Sequence, residues 1–313
     1  MTERPDPRPP VVVIGGPTGV GKTAATIDLA QAMDGEIVGA DSVQLFRHMD
    51  IGSAKPTPAE RAAAPHHMID VADPDESYDA ARYAREARQC LAEIHERGRV
   101  PLVAGGTGLY IRALVDGIFP AGASDPAVRR RLREAAATEG APALHRRLAA
   151  RDPAAARRIH PNDAFRIVRA LEVVAVTGRP LSDHQADHGF RDAPYRVFRI
   201  GLYRDRAELY RRIDRRVEAM LAEGLIDEVR GLLDRGYGPD LKPMGAIGYR
   251  HMIGFLAGKT DWDETVRLCK RDTRRYAKRQ LTWFRAEAHT RWTTPEAAME
   301  IVPALKNFLH KGG

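Results

Sequence analysis

Two hydrophobic textures alternate along the chain. Near the N-terminus the short apolar run PVVVIGG predicts a buried strand, and KTAATIDLAQAM after it has helical character. GEIVGADS reads as a second strand, ending at Asp41. SYDAARYAREARQCLAEIHERG predicts a helix with Tyr78, Ala81, Ala84 or Arg85, Ala87 or Arg88, Leu91 and Ile94 along one face, stopped by Gly98. RVPLVAGG is the next strand, and TGLYIRALVDGI leads into another helix. Strands alternating with helices predict an α/β fold with a parallel sheet covered on both faces. Ligands in such sheets sit beyond the C-terminal strand ends. That rule places the loop after the first strand, Asp41 with Ser42, and Gly105–Gly108 along one edge.

The second texture runs from about residue 120 to 195. DPAVRRRLREAAATEG, APALHRRLAARD, PAAARRIH and PNDAFRIVRALEVVAVTG are helical pieces separated by Asp-Pro, Gly and Pro-Asn punctuation. Asp125, Asp152 and Asn162 stand where helix N-caps are expected. YRVFRIGLYRD then restores a strand. The expected organisation is a loose charged tail over 1–10, a core domain over 11–119 and 196–313, and an all-helical insertion over 120–195.

The helix expected over WDETVRLCKRDTRRYAKRQLTWFR changes the picture through charge. Arg267, Lys270, Arg271, Arg274, Arg275 and Lys278 recur at helical spacing as one basic stripe, while Val266, Cys269, Thr273, Tyr276, Ala277, Gln280 and Phe284 form the packing side. Asp272 lies off the stripe and is expected to compensate it little. Six like charges on one face point to a phosphate backbone. The net charge of +7 agrees but is weaker support than the distribution. No run is long enough to cross a bilayer and MTERPDPRPP has no signal-peptide core, so a cytoplasmic protein without membrane contact is expected. Cys90 and Cys269 read as free thiols. His184 and His188 are four apart, but their Ser, Asp and Gly neighbours suggest a loop and no further ligand pattern accompanies them, so no metal site is expected there.

The chemistry begins at GGPTGVGKTAATIDLA, which contains G-x-x-x-x-G-K-[ST] with Gly16, Gly21, Lys22 and Thr23 in the fixed places. Between a strand and a helix this pattern is a phosphate-binding loop: Gly16, Pro17, Thr18, Gly19, Val20 and Gly21 form the cradle, Lys22 adds a point charge, and the Thr23 hydroxyl is placed to ligate Mg²⁺ on the phosphates. Asp41, at a strand end facing that loop, suits either a water-mediated Mg²⁺ ligand or a proton acceptor for an incoming nucleophile. On these residues alone a nucleoside kinase is the default.

Seven blocks narrow the choice. GPTGVGKT, DSVQLFRHMDIGSAKP, PHHMIDVADPDESYDAARY, VAGGTGLYIRAL, HPNDAFRIVRALEV, MGAIGYR and AKRQLTWFR resemble, in that order, the tRNA dimethylallyltransferase (tRNA isopentenyltransferase) family across roughly residues 11–290. The resemblance implies a P-loop NTPase-like sheet with a helical insertion. It also implies transfer of a dimethylallyl group from dimethylallyl diphosphate to N6 of the adenosine just 3′ of the anticodon, in tRNAs reading codons that begin with U. It makes Asp41 the proton acceptor and Arg216, with Arg212 one turn earlier, a partner of the leaving diphosphate. The tRNA anticodon stem-loop would be held by Asp41, Ser42, Val43 and Gln44, by Thr107 and Arg129, and by Phe165, Arg166, Ile167, Val168 and Arg169 of the insertion. Ala246, Ile247, Gly248, Tyr249 and Arg250, with Arg274, Arg275, Lys278, Arg279 and Gln280, would grip its backbone. Gln44 is expected to donate to and accept from the base edge.

Phe46, Ser53 and Gly19 depart from the family's frequent Tyr, Thr and Ala, removing no charged or proton-transferring group. Two alternatives stay open. Adenylate isopentenyl transfer would leave the insertion and the basic helix without a purpose. A P-loop small-molecule kinase would not need the blocks after Asp41. A monomer using Mg²⁺ is expected.

Overall fold

The computed structural model describes residues 6–117, 125–188 and 193–310. The chain divides into two compact units, one of Met1–Val115 with Pro194–Gly313 and one of Asp116–Ala193.

Among the described residues the first unit is built on six strands, β1 (Pro10–Gly15), β2 (Gly35–Gly39), β3 (His66–His67), β4 (Val100–Gly105), β5 (Arg196–Leu202) and β6 (Thr290–Thr293). Their order is β3-β2-β4-β1-β5-β6, and every neighbouring pair is parallel. β1 is central, and its Val11, Val12, Val13 and Ile14 are buried, which is why they form an unbroken apolar run. Gly15 stands beside Gly105 on one side and Gly201 on the other. The short β3 and β6 have no strand-like pattern of their own and were not expected.

Helices α1 (Lys22–Ala32), α2 (Pro58–Ala63), α3 (Ala80–Glu96) and α4 (Gly108–Val115) follow the first strands. On α3 the buried residues include Ala84, Ala87, Leu91 and Ile94, and Gly98 turns the chain with φ 69°. Ile27 and Leu29 of α1 pack with Ile14, Leu102 and Ile200 of the strands into a hydrophobic core.

The second unit contains α5 (Pro126–Glu139), α6 (Ala141–Arg151), α7 (Pro153–Arg158), α8 (Ala164–Thr177) and α9 (Leu181–His188) around Leu144, Leu148, Ile167, Ala170 and Leu171. Asp125 caps α5 by accepting from the Ala127 and Val128 N–H groups, and Asp152 caps α7 while also accepting from Ser182 N–H at 2.9 Å. Asn162 is not the third cap. Asp163 fills that place, accepting from Arg166 N–H at 3.1 Å, because the helix starts one residue later. His184 also lies on a helix, α9, and not on a loop; its Nε2 is 3.1 Å from the Thr177 hydroxyl.

After β5 the first unit resumes with α10 (Arg206–Ala222), α11 (Leu225–Asp234), α12 (Tyr249–Leu256), α13 (Trp262–Arg285) and α14 (Val302–His310). α13 lies against the C-terminal strand ends, and two glycines make room for it. A Cβ on Gly106 would collide with Gln280 Nε2, and one on Gly108 with the Trp283 indole. Among the described residues no helix is long and apolar enough to cross a membrane.

Candidate active site

The loop from Gly16 to Lys22 turns because Gly19 and Gly21 take φ of 79° and 106°, a region where side chains are strained. Gly21 precedes α1 and no side chain caps the helix, so its first N–H groups are left for a ligand. The Lys22 ammonium is folded under the loop, donating to the carbonyls of Gly16 at 2.9 Å and Pro17 at 3.0 Å. Burial, with Arg216 nearby, pushes this ammonium down to about 8, while Asp41 acts against the shift.

Three distant side chains hold the loop from outside. Gln280 accepts from Thr18 N–H at 2.8 Å, Arg212 Nε donates to Gly19 O at 2.9 Å, and Arg204 Nε donates to Val20 O at 2.8 Å. The side chain of Val20 is fully buried, so it serves the core and not the ligand.

Lys22, Thr23, Asp41, Arg212 and Arg216 line one cavity of about 900 Å³. Arg216 makes no hydrogen bond or ion pair among the described residues. Burial lowers the pKa of its guanidinium and Asp41 opposes this. A half-buried, unpaired cation on a cavity wall is a site prepared for an anion.

Asp41 follows β2 and closes an Asx turn, one carboxylate oxygen accepting from the N–H groups of Val43 at 2.9 Å and Gln44 at 3.4 Å. Ser42 N–H donates to the Thr107 hydroxyl at 3.0 Å, and Thr107 N–H to Ala40 O at 3.1 Å, which ties the ends of β2 and β4 together. Tyr276 of α13 lines the same cavity; burial, then the Asp41 charge, raises its phenol.

A family model for IPP transferases matches residues 44–287, and one for isopentenyl transferases matches residues 9–76. The chain is 55% identical over 306 residues to a tRNA dimethylallyltransferase of Desulfosudis oleivorans, covering 97% of this chain and 98% of that one. It is 58% identical over 283 residues to one of Syntrophobacter fumaroxidans, covering 90% and 83%. The chain belongs to the tRNA dimethylallyltransferase family. A tRNA isopentenylpyrophosphate transferase from Bacillus halodurans has the same fold, with a TM-score of 0.73 at 41% identity and 97% of both chains covered. A eukaryotic dimethylallyltransferase crystallised acting on tRNA superposes with a TM-score of 0.76 at 27% identity, covering 96% of this chain and 78% of that one.

Within this family member the structure redistributes several residues expected to touch tRNA. Gln280 is buried, with both ends of its amide bound to backbone, so it cannot grip an outside phosphate. Tyr249 is fully buried and donates its hydroxyl to Glu228 at 2.7 Å, while Ala246, Ile247, Gly248 and Arg250 do line the cavity. In the second unit Ile167 and Val168 are core residues, whereas Phe165 is 76% exposed and Arg166 is exposed beside it. Arg129 and Arg169 both bind the buried carboxylate of Glu172. Gln44 does not have the donor expected for a base edge, because its two amide hydrogens go to Ser53 O at 3.1 Å and Ala54 O at 2.9 Å.

The basic stripe is also corrected. Asp272 pairs with Arg250 at 2.7 Å and Arg271 at 2.8 Å, and lies 3.3 Å from His251; the Arg271 hydrogen bond holds its carboxyl well below the usual range. Arg267 pairs with Glu264, Lys270 with Glu218 and Arg274 with Asp214. Two of those acids sit on α10, out of sight of a single-helix wheel. Lys278 and Arg279 stay exposed, Arg279 over the Tyr276 ring.

Sequence reasoning missed Glu228. From α11 it accepts three consecutive N–H groups, of Asp50, Ile51 and Gly52, at 2.9, 2.7 and 3.0 Å, besides the Tyr249 hydroxyl. It also missed Lys55, whose buried ammonium donates to Phe46 O, Asp50 and Asp70. Both brace the segment after Asp41, and neither has a local signal.

Proposed function

We propose that this protein transfers the dimethylallyl group of dimethylallyl diphosphate to N6 of the adenosine 3′ of the anticodon, in tRNAs reading codons that begin with U. It acts as a cytoplasmic monomer. The observation that carries the reading is the pairing, in one cavity, of an unpartnered Arg216 and a lysine-bearing loop with the Asp41 carboxylate.

The donor's two phosphates lie along the loop, on the free N–H groups at the start of α1. As the allylic C–O bond breaks, negative charge gathers on the leaving diphosphate, where Lys22 and Arg216 stabilise it. The N6 lone pair forms the new N–C bond, and Asp41 takes the proton that N6 releases. The Thr107–Ser42 link keeps that carboxylate's strand end in place. The target base must leave its stack to reach the cavity, and exposed Phe165 supplies a face for stacking on the RNA.

A divalent ion fits this site in one way. Among the described residues no cluster of three His, Cys, Asp or Glu side chains is able to cage a metal. Mg²⁺ commonly takes few protein ligands and completes its shell with substrate phosphates and water. Thr23 would hold it, and it would supply further charge neutralisation to the diphosphate.

The test is incubation with labelled dimethylallyl diphosphate, Mg²⁺ and either unmodified tRNA or AMP. Label in tRNA is expected; label only in AMP would replace the tRNA reading with free-nucleotide transfer.

A further inference from the structure

Gln280 has an occupation that its neighbours on α13 do not share. Its side chain is 5% exposed and spans the gap between the phosphate loop and the end of β4. Oε1 accepts from Thr18 N–H at 2.8 Å, and Nε2 donates to Gly106 O at 3.0 Å. Each polar end of the amide therefore bonds backbone, the Tyr276 phenol is a further side-chain partner, and Gly106 is the residue that leaves room for the amide. Two residues earlier and one residue earlier, Lys278 and Arg279 are exposed to solvent. The same helix thus carries exposed cations, of which Arg279 also reaches the cavity, and an inner amide fixed to the loop that lines it.

We propose that Gln280 is a positioning residue for the diphosphate of the donor and not a contact for RNA. By holding Thr18 it sets the loop's entry turn, with Arg212 and Arg204 holding the next two carbonyls. Removing the amide frees a buried N–H and a buried carbonyl, and the loop shifts to satisfy them. A shifted loop loses diphosphate affinity while the outer edge of α13 is untouched. The donor's identity rests on the prenyl-transfer reading; the anchoring of the loop does not.

The experiment titrates inorganic pyrophosphate, with Mg²⁺ present, and an unmodified anticodon stem-loop RNA separately against native protein and Gln280→Met. Pyrophosphate affinity is expected to fall about tenfold or more, as the loss of two buried hydrogen bonds implies, with the donor KM rising in step. RNA affinity is expected to stay within about a factor of two. Gly106→Ala pushes the amide aside without altering Gln280 itself, and the same split is expected, which keeps the test decisive should the methionine variant fold poorly. Weaker RNA binding with unchanged pyrophosphate binding would overturn the proposal, as would a Gly106→Ala protein with native pyrophosphate affinity. A native protein that labels no tRNA would sink the prenyl-transfer reading, while the pyrophosphate titrations would still decide on Gln280.

Discussion

The cavity wall and the outer face of α13 are both rich in cations, but they treat them differently. On the wall, among the described residues, Arg216 makes no hydrogen bond or ion pair and Lys22 donates to carbonyls of its own loop, with the Asp41 charge acting on both. On the helix Arg267, Lys270, Arg271 and Arg274 each have a carboxylate within 3 Å. A surface pair contributes little to stability, yet it lowers the charge a polyanion feels. A half-buried cation with no ion pair of its own is costly, and Asp41 offsets that cost only in part, which favours an anion at this place. Counting positive residues overstates the helix and understates the wall.

The largest expected effect falls across the cavity from those cations. Asp41→Asn should lower turnover about 10²- to 10⁴-fold, the usual range for a lost general base, and leave pyrophosphate binding near native. Single-turnover transfer to tRNA measures it, and a variant with normal turnover would remove Asp41 from the mechanism. Arg216→Gln comes next, with kcat down about 10²- to 10³-fold, as for one lost donor to a developing anion. A loss confined to tRNA affinity would contradict the place proposed for it beside the diphosphate.

The lysine adds a pH dependence whose sign follows from burial. Its pKa is depressed to about 8, so the ammonium is charged below that pH and neutral above it. Pyrophosphate binding should weaken as pH rises through 8, and binding above 8 should take up a proton because the anion favours the charged form. Calorimetry in buffers of different ionisation heat reads the proton directly. The folding term has its own sign. Between about 8 and the ordinary lysine value the unfolded chain holds more protons, so stability from this group rises with pH across that window.

Glu228→Gln turns one carboxylate oxygen into a donor facing backbone N–H groups, and should raise the KM for tRNA about tenfold with the donor KM little changed. Equal changes in both would make Glu228 general scaffolding. The smallest effects belong to the outer helix. Lys278→Ala should reduce the salt slope of tRNA binding by about one unit, whereas Arg274→Ala, already paired with Asp214, should change it less. Equal slopes would mean that the pairs do not screen.

What was legible in the sequence follows the range of the interactions. The phosphate loop could be read because strand, glycines, lysine and helix lie within a few residues, and Asp41 because a strand end names its edge. Resemblance to the family, not spacing, singled out Arg216. The helical spacing put Gln280 on the packing side, but its partner on the loop, and those of Glu228, were out of reach because they stand 262 and 176–178 residues away in the chain. The basic stripe misled for the same reason: Asp214 and Glu218 approach it from α10. Ile167 and Val168 share a short block with Phe165 and Arg166, but helical geometry turns the first two inward.

The most direct measurement is a crystal of the protein soaked with pyrophosphate and Mg²⁺. The two phosphates are expected on the loop at the start of α1, with the Lys22 ammonium drawn from the Gly16 and Pro17 carbonyls and the Arg216 guanidinium bound to the anion. Pyrophosphate seated instead on the outer cations of α13, with Arg216 still unpartnered, would contradict this placement.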